Sequence, residues 1–300
     1  MAKKQKVRFL VNPKSGGFFG ARFNERMVKK YLDLNKFDYD IHVTKFAGHA
    51  IKLAQQSLID KVDIIAVVGG DGTQNEVGQV IMNSPIKLAS IPTGSGNANA
   101  RKLQIPINIA HAIELINTGK VFKIDACLVN HQPFFMTAGL GYDGKVIQRF
   151  NQLKIRGVGA YVTSVLTTAF TYDLPTYTIT LDDDSVIETK AFTVLMTSTG
   201  QLGYDVEFSH ESILNDGIFE ICIVKDFNRM RVPSMIQEAF FGDIASLDIL
   251  ERHACKKASI KCNTIENLQM DGDYKGSTNY IEVSIQKEAL KFIVSKDFKL

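Results

Sequence analysis

Several large protein classes are excluded by what this chain lacks. No apolar run approaches the ~20 residues that a membrane-spanning helix needs, and Met1-Ala2-Lys3-Lys4-Gln5-Lys6 passes straight into a strand pattern without a signal-peptide core. A cytoplasmic protein is therefore expected. The four cysteines, Cys127, Cys222, Cys255 and Cys262, form no CxxC pair and have no histidine at zinc-finger spacing; free thiols are expected, with neither a disulfide framework nor structural zinc. The six histidines, His42, His49, His111, His131, His210 and His253, show no metal or triad spacing and are assigned no chemistry. A net charge of +3 falls short of the basic balance of a nucleic-acid binder, although it is compatible with visits to an anionic membrane surface. There is no G-x-x-x-x-G-K-[ST] run, which argues against a P-loop fold, and no G-x-G-x-x-G after the first strand, which argues against a Rossmann dehydrogenase. Internal repeats and low-complexity tracts are also absent.

What is present fits an ordinary globular chain. Of 300 residues 45% are hydrophobic and 22% charged, enough for one large or two medium domains. Up to about residue 125 strand and helix patterns alternate: strands near 7–11, 39–44, 64–68 and 88–91, with helices near 21–34, 49–58, 74–82 and 109–117, the last stopped by Gly119. Repeated βαβ units imply a parallel sheet covered on both faces. Beyond 125 the pattern turns to strands with turn-rich connections, near 177–181, 192–196, 218–224, 258–262 and 280–285, and a mostly antiparallel second domain is expected. Helical stretches near 145–170 and 233–249 interrupt it, residues 290–294 read as a strand returning to the first domain, and 123–125 is the nearest thing to a linker.

Chemistry is concentrated where the early strands end. Ile64-Ile65-Ala66-Val67-Val68 runs into Gly69-Gly70-Asp71-Gly72-Thr73-Gln74-Asn75-Glu76 and then a helix. Glycines let backbone approach an anion, and a helix start offers free N–H groups and a positive dipole end. Two more such turns follow strands, Asn12-Pro13-Lys14-Ser15-Gly16-Gly17 and Pro92-Thr93-Gly94-Ser95-Gly96-Asn97. In open α/β sheets ligands bind at that edge. Asn12, Ser15, Gly16, Gly70, Gly72, Thr73, Thr93, Gly94, Ser95, Gly96 and Asn97 are candidates to cradle a nucleotide through backbone N–H, hydroxyl and amide groups, with Glu76 closing the second turn. Asp71 would repel a bare phosphate, so a carboxylate there points to a metal ion or a proton transfer.

These three turns resemble the catalytic-domain motifs of the diacylglycerol kinase family, in particular its soluble bacterial lipid kinases; sphingosine kinases and, more remotely, NAD kinases are related. Leu214-Asn215-Asp216-Gly217 and Met270-Asp271-Gly272-Asp273 are similar to later family motifs. The resemblance implies an α/β nucleotide-binding domain with a parallel sheet over 1–125, to which 288–300 returns, and a mostly antiparallel β-rich lipid domain over 126–287. It implies an ATP- and magnesium-dependent kinase of a lipid hydroxyl, converting diacylglycerol to phosphatidic acid, peripheral at the membrane, with a homodimer left open. Asp71, Asp125 and Asp216 match family positions that form an acidic, water-linked magnesium network. The family carries Asp-Gly-Glu where this chain has Asp271-Gly272-Asp273, so Asp273, the expected base, sits about one C–C bond further back. Without the resemblance, Asp216 reads as an Asx turn and Asp271-Gly272-Asp273 as a hairpin turn.

Departures keep other readings open. Asn97-Ala98-Asn99-Ala100-Arg101 stands where the bacterial enzymes more often have Asn-Asp-Phe-Ala-Arg, and Gly94-Ser95-Gly96-Asn97 is closer to sphingoid and ceramide kinases. A sphingoid-base kinase is thus an alternative. An NAD kinase would share Gly69–Thr73 but continue differently at Asn75-Glu76. A catalytically inactive nucleotide- or lipid-binding protein is the third reading, motivated by Ala98 and Asp273. Ser198-Thr199-Gly200-Gln201-Leu202-Gly203 also departs from the family pattern. The apolar stretch 158–170, preceded by Arg149, Lys154 and Arg156, reads either as a core helix or as the lining of an acyl pocket.

Overall fold

A strand without a single polar side chain has to be covered on both faces, and Ile64–Gly69 is buried at every position. The computed structural model of the chain describes residues 3–16, 23–153, 158–203, 206–207 and 212–299; Gly17, Lys154, Arg156 and His210 lie outside them. The chain divides into two units, Met1–Asp125 with Lys287–Leu300, and Ala126–Gln286.

The first unit contains β1 (Gln5–Val11), α1 (Glu25–Tyr31), β2 (Phe37–Val43), α2 (His49–Ile59), β3 (Ile64–Gly69), α3 (Asp71–Ile81), β4 (Lys87–Pro92), α4 (Ala98–Lys102), α5 (Ile109–Thr118) and the start of β5 (Lys120–Val129). The order β4-β3-β1-β2 is parallel throughout. The segment 290–294 adds a further parallel strand, pairing Lys291 with Lys87 and Phe292 with Leu88. Phe9, Val28, Ala66, Ile91, Ile113 and Ile293 meet in its core. Helix starts are fixed by side chains, Asn24 accepting from the Met27 N–H at 3.2 Å and Asn108 from the Ala110 N–H at 2.9 Å. Gly119 does end α5, but with φ −66°. Its glycine is required by close approach, since a Cβ would lie 2.6 Å from Ile293 Cγ2.

The second unit contains β6 (Gln132–Phe134), β7 (Thr137–Gly141), α6 (Tyr142–Gln152), α7 (Val158–Ala169), β8 (Thr176–Leu181), β9 (Val186–Thr197), β10 (Gln201–Gly203), β11 (Val206–Glu207), β12 (Phe219–Lys225), α8 (Val232–Phe241), β13 (Leu250–Cys255), β14 (Lys257–Met270) and most of β15 (Asp273–Val294). The order β13-β12-β9-β7-β14-β15 is antiparallel, with β8 bridging β9 and β14. Tyr177, Phe134, Phe219, Met196 and Ile260 fill one core cluster; Tyr172, Phe192, Leu195 and Cys222 fill another.

Two expectations need correction. The helical stretch 145–170 is two helices, α6 and α7, because α6 is already capped at Leu153 in extended backbone. Residues 123–125 are not a linker: they lie inside β5, and the buried Asp125 accepts the Glu288 N–H at 2.6 Å. One feature escaped the sequence altogether. Arg8, 4% exposed, forks onto both Asp40 oxygens at 2.9 and 2.7 Å and reaches Asp60 at 2.7 Å. A buried guanidinium is tolerable only when paired in this way.

Candidate active site

Parallel strands β1, β3 and β4 deliver their loops to one edge of the first unit, and hydrogen bonds sew the loops together. Asn12 N–H donates to Val68 O at 2.9 Å, and its side-chain amide donates to Thr73 Oγ1 at 2.9 Å. Thr93 N–H donates to Gly69 O at 3.0 Å. Asn97, in left-handed backbone at φ 51°, closes the third loop by accepting from the Gly94 N–H and donating to Gly94 O. The backbones of the second and third loops touch. A Cβ on Gly94 would lie 2.5 Å from Gly70 Cα, and Ser15 Oγ stands 3.6 Å from where a Cβ on Gly70 would be. Only glycine permits that approach. By contrast, a Cβ on Gly72 would meet nothing within 4 Å.

Helix α3 opens at Asp71 with no side-chain cap, which leaves the positive end of its dipole facing the loops. Thr93 Oγ1 is buried and has no hydrogen-bond partner among the described residues. A buried, unpaired hydroxyl in such a cradle calls for a ligand. Burial pushes the Asp71 carboxyl above the usual carboxylate range, while the N–H groups of Ala98 and Asn99, at 3.1 and 3.3 Å from its oxygens, pull it back. Ser95 is exposed on the third loop, and Gly16 sits at φ 71° on the first. Glu76 accepts the Gly48 N–H at 3.0 Å and so ties the turn after β2 to α3.

The tight backbone contact supplies a test. Gly94→Ala should weaken ATP binding at least ~10-fold and lower stability, because forcing a methyl into packed atoms commonly costs ~1–3 kcal/mol. Gly72→Ala should leave stability unharmed. Calorimetric titration with ATP and thermal unfolding of both variants check this; equal behaviour of the two would show that the loop contact is unimportant.

The other expected carboxylates make backbone bonds of their own. Asp216 makes an Asx turn, accepting the Ile218 N–H at 2.9 Å, and Asp125 takes the strand bond described above. Among the described residues no three His, Cys, Asp or Glu side chains form a metal-binding group. In the second unit, Asp271 (φ 49°) and Gly272 (φ 81°) are the two left-handed residues of the tight hairpin between β14 and β15. The Asp271 carboxylate accepts the N–H groups of Phe135, Met136 and Thr137 at 2.9, 2.8 and 3.2 Å. Asp273 is exposed and lies 3.4 Å from Lys275 Nζ. Asp271 is thus the better-fixed acid of the pair.

The second unit holds a cavity of about 160 Å³, lined almost wholly by apolar side chains of α6, α7, β9, β12 and α8; Tyr161 and Val165 of the apolar stretch 158–170 are among them, with Leu195 and Met235. Its exceptions are Asp143 and Thr193. The Thr193 hydroxyl donates to Asp143 Oδ1, while Oδ2 lies over Gly139 without a hydrogen bond among the described residues. Burial pushes this carboxyl up to about 6, against the Thr193 and Gln269 side chains. The available signal was Gly139-Leu140-Gly141-Tyr142-Asp143-Gly144, another strand running through glycines into a helix.

A sign follows for stability. The folded pKa of Asp143 exceeds the ~4 of an unfolded Asp, so its contribution is full below ~4 and is lost as pH rises through about 6. Asp143→Asn, neutral throughout, should gain on wild type by about 2 kcal/mol between pH 4.5 and 8. Denaturant unfolding at both pH values measures it; parallel pH slopes would refute the assignment.

Residues 6–129 match the diacylglycerol kinase catalytic domain, and residues 137–294 match the YegS C-terminal NAD kinase beta sandwich-like domain. The chain belongs to the diacylglycerol kinase family. A diacylglycerol kinase of Bacillus subtilis is 28% identical over 287 residues, covering 91% of each chain. The crystal structure of a relative from Bacillus anthracis superposes with a TM-score of 0.78 at 26% identity over 99% of each chain. Yeast NADH kinase, at 10% identity and a TM-score of 0.54 over 98% of this chain and 85% of its own, shares the fold. As a family member the protein is a phosphotransferase with an alcohol acceptor, a lipid kinase whose α/β unit precedes a β-rich one. The family's phosphoryl donor is ATP, typically with a divalent metal. Among the described residues no helix is long and apolar enough to cross a membrane.

Proposed function

We propose that the protein transfers the γ-phosphoryl group of ATP to the hydroxyl of an acylated lipid, diacylglycerol first, with magnesium. The observation that carries the lipid is the apolar cavity of the second unit, whose lining, Asp143 and Thr193 apart, suits hydrocarbon. The glycine loops and α3 start of the first unit hold the triphosphate. Magnesium, when bound, offsets phosphate charge. Asp71 suits it: a buried carboxylate gains from a cation beside it, and magnesium commonly takes one or two carboxylates plus waters and phosphates, so a complete protein cage is not required. Asp125 and Asp216 are the further acids proposed for this network, each with one oxygen already on a backbone N–H.

On the acceptor side, little covalent help is needed, but the hydroxyl must be oriented. Asp271, held by three N–H groups, is proposed for that role, with Asp273 as the flanking acid. A lipid kinase with this sequence would work as a cytoplasmic enzyme touching the membrane surface transiently. A second reading, a sphingoid base as acceptor, is favoured by Asp143, because a buried carboxyl at an apolar cavity would pair with an ammonium group. Purified protein incubated with labelled ATP, magnesium and a panel of diacylglycerols and sphingoid bases tests both. Labelled phosphatidic acid supports the first, a labelled sphingoid phosphate supports the second, and no labelled lipid from any member overturns the lipid-kinase reading.

A further inference from the structure

The turn after β2 carries an aromatic ring that the core does not use. Phe46 is 53% exposed and belongs to none of the first unit's buried cluster. It is the only phenylalanine or tyrosine of that unit, among the described residues, to be so open. Yet it is held in place. His49 stacks on it with ring centroids 4.7 Å apart and planes 25° apart, and Lys52 Nζ lies 5.4 Å from its centroid. His49 is itself fixed, its Nδ1 accepting the Lys45 N–H at 3.1 Å. Thr44 N–H bonds to Val11 O at 2.8 Å, and Gly48 N–H to Glu76 at 3.0 Å, so the turn is tied to β1 on one side and α3 on the other. An apolar ring left in water but oriented by two neighbours, His49 and Lys52, is arranged to receive a flat partner.

Its position suggests which partner. The sheet order β4-β3-β1-β2 puts the turn after β2 at the same edge as the three glycine loops and at the outer end of the row. Three strand spacings of about 4.8 Å separate β4 from β2, roughly 14 Å along the edge. That is comparable with the reach of an extended nucleoside triphosphate. With phosphates seated where Gly70 and Gly94 touch, a nucleotide lying along the edge arrives at Phe46 with its base. We propose that Phe46, oriented by His49 and Lys52, is the platform on which the base of the nucleoside triphosphate stacks. The proposal rests on the nucleotide-binding reading of the glycine loops and adds to it the direction in which the nucleotide lies. Because every base has a π-face, the platform holds purine nucleotides by stacking and discriminates weakly among them.

The experiment compares magnesium-ATP, magnesium-GTP and magnesium-tripolyphosphate, which lacks a base, in calorimetric titrations of wild type, Phe46→Ala and Phe46→Tyr. Losing one base–aromatic stack should weaken ATP and GTP binding about 10-fold in Phe46→Ala, leave tripolyphosphate unchanged, and leave Phe46→Tyr near wild type. If ATP and tripolyphosphate weaken equally, Phe46 acts on the loops rather than the base, and the platform is overturned. If Phe46→Ala binds ATP as wild type does, it is overturned as well. A wild-type protein that binds neither ATP nor tripolyphosphate sinks the nucleotide reading itself, and the platform with it.

Discussion

Asp71→Asn is expected to reduce phosphoryl transfer at least ~10²-fold, the usual consequence of removing one preorganised electrostatic group, while the first unit stays folded. The substitution keeps the side chain's size. One backbone bond survives, since an amide oxygen can still accept the Ala98 or the Asn99 N–H. What is lost is the charge. The sign of the binding change distinguishes a metal-holding carboxylate from a structural one. Without magnesium, a carboxylate beside the phosphates repels them, so the Asn variant should bind metal-free ATP as well as wild type or better. With magnesium, wild type should gain affinity and the variant should not. Titrations with and without the metal, run beside turnover, read both. Near-normal turnover would remove Asp71 from the mechanism, and an equal magnesium gain in both proteins would place the metal elsewhere.

The glycine-loop edge was legible because its determinants are contiguous. Each glycine loop is written in six to eight neighbouring residues, and the buried strand before it announces itself as an unbroken apolar run. Asp143 was not legible, for its partners Thr193 and Gln269 lie 50 and 126 positions away and only the antiparallel register of β7 with β9 and β14 brings them near. The same holds for Arg8, whose acids come from β2 and the end of α2. Strands β14 and β15 were read only in part, β15 as two separate pieces, because each carries exposed polar positions. Pairing on the sheet, which the pattern of one strand does not record, extends them. Glu76 has a tie that its motif did not announce: it accepts the Gly48 N–H and so holds the turn bearing Phe46.

The hairpin carboxylates are where the structure reorders the expectation, and their variants should divide cleanly. From the family's longer acid, Asp273 was the expected base. Among the described residues its exposed side chain pairs with Lys275, and a loosely held acid orients a hydroxyl poorly. Asp271 is fixed by three N–H donors, which position it although they also stabilise its charge. In phosphoryl transfer orientation counts for more than basicity. Asp271→Asn should therefore lower kcat by ~10²-fold or more, within the range typical of a positioned acid or base, and Asp273→Asn by no more than ~10-fold. Melting curves must accompany the rates, because an Asn at 271 surrenders part of the N–H anchoring and could act through the fold alone. Asp271→Glu separates the two causes: it keeps the charge but moves it, so a folded Glu variant as slow as the Asn variant shows that position is what matters. Should Asp273→Asn instead abolish transfer while Asp271→Asn only lowers the melting temperature, Asp273 orients the hydroxyl and Asp271 merely pins the turn.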